Sequence, residues 1–181
     1  MTVSLVGLTG KAGCGKDTLA AAAKWSRAAF ADSLKEMCIT FLGLTNDMAY
    51  TQEGKAQFNP FWGMTNREIL QRVGTEAMRN GFHKDVWVKI LEIRIKAMLA
   101  EGKRVIVTDC RFDNEAEMIR RLGGVVIEIE RPNTSVVLNG AESGHLSEQG
   151  IRRDLISGVV VNDGTVYELL ARFNSVINSI R

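Results

Sequence analysis

The chain has 181 residues, is 45% hydrophobic and 24% charged, and carries a net charge of +2. That composition suits one compact domain with a full core. It offers too little positive charge to argue for a nucleic acid polymer, holds no apolar run of membrane-spanning length, and shows no signal-peptide pattern.

The first apolar run, Val3 to Leu8, reads as a buried strand, and the alanine-rich stretch Leu19 to Lys24 reads as a helix. Between them lies Gly10-Lys11-Ala12-Gly13-Cys14-Gly15-Lys16-Asp17-Thr18, with Gly10, Gly15 and Lys16 at P-loop spacing. Glycines at 10, 13 and 15 let backbone N–H groups turn inward into a concave anion site, and the helix start adds the positive end of its dipole. Lys16 supplies a mobile cation for β- and γ-phosphates. Asp17 stands where Ser or Thr usually holds Mg²⁺. A carboxylate is a good hard-metal ligand, so Asp17 is the candidate metal residue, directly or through water, and Thr18 is a candidate phosphate contact. Because the loop begins so early, no cleavable leader is expected before it.

Ala28 to Ala31 reads as a brief second strand. Asp32-Ser33 then caps a helix over about 34–42 that stops at Gly43. Residues 45–65 lack periodicity and read as a mobile insertion carrying Lys55, Phe61 and Trp62. Thr65-Asn66 caps a helix with Ile69, Leu70 and Val73 on one face, running to about Asn80-Gly81. A further helix spans about 85–100, with Trp87, Ile90, Leu91, Ile93 and Met98 inward, and Gly102 ends it. Spacing alone assigns a phosphate to none of Arg67, Arg72 and Arg79.

Val105 to Asp109 reads as a buried parallel strand with a carboxylate at its carboxyl end. Glu115 to Leu122 is helical, and Val125 to Ile129 is another strand, ended by Arg131-Pro132. Residues 133–154 are polar and broken by Gly140, Gly144 and Gly150. Val159 to Val161 is a last strand, followed by Asn162-Asp163-Gly164 and a closing helix over about 165–179 presenting Leu169, Leu170, Phe173 and Ile177. Strands alternating with helices predict an α/β fold with a parallel central sheet, as a three-layer sandwich.

Ligands of such sheets bind beyond the carboxyl ends of the strands. The P-loop, Asp109-Cys110-Arg111 and Asn162-Asp163 therefore converge. Asp109 could position Mg²⁺ or a substrate hydroxyl, or simply cap a helix. Arg111 could clamp a phosphate bidentately or pair with a carboxylate. The segment after Arg131-Pro132 is where a kinase lid would close to exclude water, although His145 by itself reads as a surface-loop residue. Three cysteines, Cys14, Cys38 and Cys110, lack metal-ligand spacing and fit a reducing cytosol.

These residues resemble the bacteriophage deoxynucleoside monophosphate kinases, a branch of the P-loop nucleoside monophosphate kinases. The marks are Gly-Lys-Asp-Thr at 15–18, Leu34-Lys35, Arg67 with Gln71 and Val73-Gly74-Thr75-Glu76, and Trp87-Val88-Lys89. They continue with Asp109-Cys110-Arg111 and Glu115, Arg131-Pro132, His145 with Ser147-Glu148 and Gly150, and Asn162-Asp163-Gly164. The resemblance implies one P-loop kinase domain over 1–181, with an acceptor-binding helical region at about 32–100 and a lid at about 132–154. It implies transfer of the ATP γ-phosphoryl group to a deoxynucleoside 5′-monophosphate, with Mg²⁺ as cofactor and action in the cytoplasm, the host's if the chain is viral.

By position, Gly10, Gly13, Gly15, Lys16, Asp17, Thr18 and Asn162 would serve ATP. Lys35, Arg67, Gly74, Thr75, Trp87, Asp109, Arg111 and Glu115 would line the acceptor. Lys16, Arg67, Asp109, Arg111 and Arg131 would act in catalysis. The partners implied are nucleotides, with no nucleic acid polymer and no membrane. The insertion before Arg67 is short for this family, which leaves base choice and a homodimer open. Three readings compete: a kinase of phosphomevalonate type, a kinase of dephospho-coenzyme A type, and a non-catalytic nucleotide-binding protein, which should lack acceptor arginines and a lid.

Overall fold

The structure, a computed structural model, describes residues 3–132 and 150–180. Its contacts divide the chain into two compact units, Met1–Ala29 with Glu92–Arg181, and Phe30–Leu91.

The first unit is built on five parallel strands: β1 (Leu5–Thr9), β2 (Ser26–Ala28), β5 (Val105–Val107), β6 (Val125–Glu130) and β7 (Gly158–Val161). Their order is β2-β5-β1-β6-β7, so β1 is central. All five residues of β1 are buried, as a strand covered on both faces requires. Helices α1 (Lys16–Ala23) and α8 (Val166–Ser179) cover one face. Leu19, Leu169 and Phe173 pack there against Val6, Leu8, Ile127 and Val160. On the other face Ile119 of α7 (Asp113–Arg121) lies directly over Gly7, which gives the three expected layers. Helix α8 begins with a reciprocal cap. Thr165 Oγ1 accepts from Glu168 N at 3.3 Å, and Glu168 Oε2 accepts from Thr165 N at 2.7 Å. That backbone bond holds the Glu168 carboxyl below its usual range.

Strand β2 lies earlier than the sequence suggests. Ser26 and Arg27 are polar, yet Ser26, Arg27 and Ala28 pair in register with Val105, Ile106 and Val107. As an edge strand β2 needs only one partner and no apolar run. Helix α2 (Phe30–Leu42) consequently starts at Phe30, and Asp32-Ser33 lie in its first turn instead of capping it.

Regular elements run through residues 45–65, the stretch read as a mobile insertion without periodicity. It contains α3 (Asn46–Tyr50), α4 (Gln52–Ala56) and a hairpin of β3 (Phe58–Asn59) and β4 (Met64–Thr65). Thr45 and Thr51 cap the two helices, accepting from Met48 N at 3.2 Å and Gly54 N at 2.8 Å. Elements this short cannot display a helical or strand period. A buried pair holds them together: Asn66 Nδ2 donates to Gly54 O at 2.8 Å, and Asn59 Nδ2 donates to Asn66 Oδ1 at 3.0 Å.

Helix α5 (Asn66–Gln71) runs straight into a π-helix, Arg72–Asn80, where one α-helix was expected. Cys38, Leu44, Ile69 and Leu70 form the local core. Helix α6 (Val86–Ala100) follows the expected bounds, but Ile93 is 71% exposed and Ile95 is buried in its place. An apolar residue recurs on every side of α6, so its period does not choose the inward face. Among the described residues, no helix is long and apolar enough to cross a membrane.

Candidate active site

The loop after β1 turns on glycines that nothing else can replace. Gly10 has φ 128° and Gly15 has φ 105°, both in the left-handed half of the map. A Cβ on Gly10 would overlap the carbonyl oxygen of Ile129 in β6, and one on Gly15 would overlap Asn162 Nδ2. The loop is therefore pressed between a neighbouring strand and the Asn162 side chain, 148 positions beyond Cys14. Asn162 is buried, and its Nδ2 donates to Cys14 O at 2.8 Å. The rest of the Asn-Asp-Gly turn is also accounted for. Asp163 Oδ1 accepts from Arg172 Nη1 at 2.5 Å, and that Arg172 nitrogen also donates to Val161 O at 2.7 Å.

Lys16 Nζ folds over the loop and donates to Gly10 O at 2.7 Å and Lys11 O at 2.9 Å. Phosphate oxygens, being ionised, are stronger acceptors than these carbonyls, so the ammonium can exchange partners when a polyphosphate arrives. A cleft of about 290 Å³ opens here. Lys16, Asp17, Thr18 and Arg131 supply its polar side, and Asn162, Gly164, Val166 and Leu169 its other wall. Arg131 Nη1 lies 3.5 Å from Gly13 O. The Asp17 side chain is 84% exposed, with Arg27 Nε 4.0 Å away. Among the described residues no three His, Cys, Asp or Glu side chains cluster as a metal cage. The cleft does carry one exposed carboxylate, Asp17, and a magnesium ion takes one or two carboxylates beside substrate phosphates and waters.

The turn after β5 sits beside the carboxyl end of β1, because Cys110 N donates to Leu8 O at 3.2 Å. Glu115, 3% exposed at the start of α7, accepts from Arg111 N at 2.7 Å and Phe112 N at 3.1 Å. This fixes the backbone of Arg111 and leaves its side chain exposed. Burial, and then the carboxylates of Glu115 and Asp109, push the Cys110 thiol well above its usual value. Cys110 is thus a neutral filler and no nucleophile.

The expected P-loop, Arg131 and Asn162 residues therefore meet around one cleft, with Asp109, Arg111 and Glu115 on the next turn of the same sheet end. In the second unit, Lys35 Nζ lies 4.3 Å above the Tyr50 ring, and Arg67 Nη2 donates to Gln52 Oε1 at 2.9 Å. Trp87 Nε1 donates to Gly74 O at 2.9 Å. The sequence reading missed Val166, Leu169 and Arg172. The available signal was the capping box Thr165-x-x-Glu168, which aims the start of α8 at the cleft. His145, Ser147, Glu148 and most of the expected lid lie outside the described residues.

Comparison with known proteins bears on this arrangement. Residues 23–173 match the family model described as deoxynucleotide monophosphate kinase. A putative deoxynucleotide monophosphate kinase of Acanthamoeba polyphaga mimivirus is 31% identical over 191 aligned residues, covering 97% of this chain and 96% of that protein. The deoxynucleotide monophosphate kinase of Escherichia phage RB69 is 26% identical over 127 residues, covering 70% of this chain and 49% of that protein, so the match spans about half of the phage protein. Among solved structures, dephospho-CoA kinase from Campylobacter jejuni superimposes with a TM-score of 0.51 at 16% identity, covering 99% of this chain and 98% of that one. At that identity the likeness concerns the fold alone.

Proposed function

The chain belongs to the deoxynucleotide monophosphate kinase family, and we propose that it transfers the γ-phosphoryl group of ATP to a deoxynucleoside 5′-monophosphate. The single observation that carries this reading is the glycine loop braced by Asn162, with Lys16 and Arg131 on one cleft. The family match disfavours the phosphomevalonate, dephospho-coenzyme A and non-catalytic readings.

In this mechanism the inward N–H groups of the loop and the start of α1 hold the ATP β- and γ-phosphates. Lys16 leaves its loop carbonyls for those oxygens. An oxygen of the acceptor's α-phosphate attacks the γ-phosphorus, the bond to the β-phosphate oxygen breaks, and ADP and the deoxynucleoside diphosphate result. Little covalent chemistry is asked of the protein beyond positioning and charge compensation. Arg131, beside Gly13, stabilises charge on the transferred group. Arg67 and Arg111 hold the acceptor phosphate and screen it from ATP, and Glu115 steadies Arg111 through its backbone. Asp109 orients the acceptor, with Lys35, Thr75 and Gly74 as further acceptor residues. The site acts in the cytoplasm, the host's for a phage-borne chain.

Asp17 would hold a magnesium ion on the cleft, directly or through water, with Thr18 on a phosphate oxygen, and the ion would supply neutralisation of phosphate charge. Asp17→Ala is expected to raise the Mg²⁺ concentration for half-maximal turnover by about tenfold, since one hard ligand is lost. Asp17→Ser should recover part of that loss. An unchanged magnesium titration for the alanine variant removes Asp17 from the metal site.

The test of the function is a coupled assay of every common ribo- and deoxyribonucleoside monophosphate with ATP, in the wild type and in Arg67→Ala and Arg111→Ala. Loss of a charged hydrogen-bonding pair should raise KM for the best monophosphate, or lower kcat, by about 10- to 100-fold, with KM for ATP little changed. Full activity in both variants, or equal loss of ATP and acceptor affinity, moves these arginines off the acceptor. Absence of turnover with every monophosphate rejects the kinase reading.

A further inference from the structure

We propose that Trp87 is a positioning residue for the acceptor, acting through Gly74 and not by touching the nucleotide; the proposal rests on the kinase reading above. The resemblance implies separate acceptor roles for Gly74, Thr75 and Trp87. The structure joins them. Trp87 is 7% exposed, so it has little free ring surface for a base, and its one polar hydrogen is spent on Gly74 O at 2.9 Å.

That carbonyl belongs to the π-wound stretch Arg72–Asn80. The wide winding is visible in bonds that reach back five positions, such as Gly81 N to Glu76 O at 3.0 Å. A π-helix is a rare winding that needs support from its surroundings. Here the support comes from two sides. The indole N–H pins Gly74 from α6. Leu34 of α2 presses on the same residue, where a Cβ would stand only 2.7 Å from Leu34 Cδ2. Gly74 is thus wedged between a donor and an aliphatic side chain, and Thr75 is the next residue along. Pinning Gly74 sets the direction in which Thr75 and Glu76 leave the turn. Without the pin, the segment can rewind toward an α-helix, which rotates every following side chain about the axis.

Trp87→Phe keeps a ring in the core and deletes only the donor. Amide hydrogen exchange over 75–80 should then quicken by about tenfold, with the parallel sheet unchanged. KM for the best deoxynucleoside monophosphate should rise by about tenfold, while kcat and KM for ATP stay within about twofold. In the wild type, ¹⁵N-tryptophan spectra assigned through Trp25→Phe and Trp62→Phe should show a Trp87 indole N–H that exchanges slowly with solvent. That resonance should barely move on saturation with the monophosphate, a readout that stands even if Trp87→Phe does not fold.

Unchanged exchange in Trp87→Phe overturns the proposal, as does faster exchange with an unchanged KM for the acceptor. A large ring-current shift on acceptor binding also overturns it, because Trp87 would then touch the base. If the wild type phosphorylates no monophosphate, the kinase reading falls and the acceptor role falls with it. The exchange comparison needs no substrate and still decides whether Trp87 holds the turn.

Discussion

Lys16→Ala will lower phosphoryl transfer by about a hundred- to a thousandfold, the scale of losing one preorganised charge-stabilising donor, while leaving the fold intact. The activity loss follows from the loop's position. Lys16 is the side-chain cation of the P-loop motif, and its ammonium is held over the loop by Gly10 O and Lys11 O. Lys11, the other lysine of the loop, stands outside the motif's lysine position, and it is Lys16 that the loop-to-helix spacing puts beside the β- and γ-phosphates. The fold survives for a different reason. Those two bonds are partly buried or exposed, so water can satisfy both carbonyls once the side chain is gone. The variant should show a wild-type far-ultraviolet circular dichroism spectrum and urea midpoint together with a collapsed kcat. A folded variant with near-normal turnover would falsify the assignment of this loop to ATP.

Gly10→Ala should have the largest effect on stability, about 2–5 kcal/mol. Two penalties coincide there. The backbone sits at φ 128°, where a Cβ is strained in any surroundings. The added carbon would also overlap Ile129 O, and the carbonyl of an interior strand paired on both sides cannot swing aside. Gly13→Ala is the control. Its φ of 72° is also left-handed, but a Cβ there meets nothing within 4 Å. It should cost only about 1–2 kcal/mol. Urea denaturation of the two variants separates strain from overlap, and equal losses would mean that β6 does not confine the loop.

Several parts of this protein were readable in the residues because their causes are local. The P-loop declares itself through glycines that must turn and a lysine that must follow them. The central strand announces itself as an unbroken apolar run, and α8 through its Leu169, Leu170, Phe173 and Ile177 stripe. Asp109 and Arg111 could be placed at a strand end because the Val105-Ile106-Val107 run stops there. The proposal that Lys35, Arg67 and Glu115 serve the acceptor rests on the family resemblance as well.

Other features were decided by partners outside their own element. Ser26-Arg27-Ala28 became a strand because Val105 to Val107 offered its edge, not because those residues favour one. The pieces between residues 45 and 65 are too short to show a period, and it is the buried Asn59–Asn66 pair that ties them down. On α6, apolar residues on every side left the choice between Ile93 and Ile95 to packing. The π winding of Arg72–Asn80 is a backbone hydrogen-bond register, which side-chain periodicity over so short a stretch cannot encode. Asn162 on Cys14 is a single bond across 148 positions of chain, and Trp87 on Gly74 is one across 13. The sequence by itself determined which groups could carry phosphate chemistry, because that depends on residue type and near spacing. Only the tertiary structure decided which backbone each group braces, because a hydrogen bond between distant residues exists only once the fold has brought its two ends together.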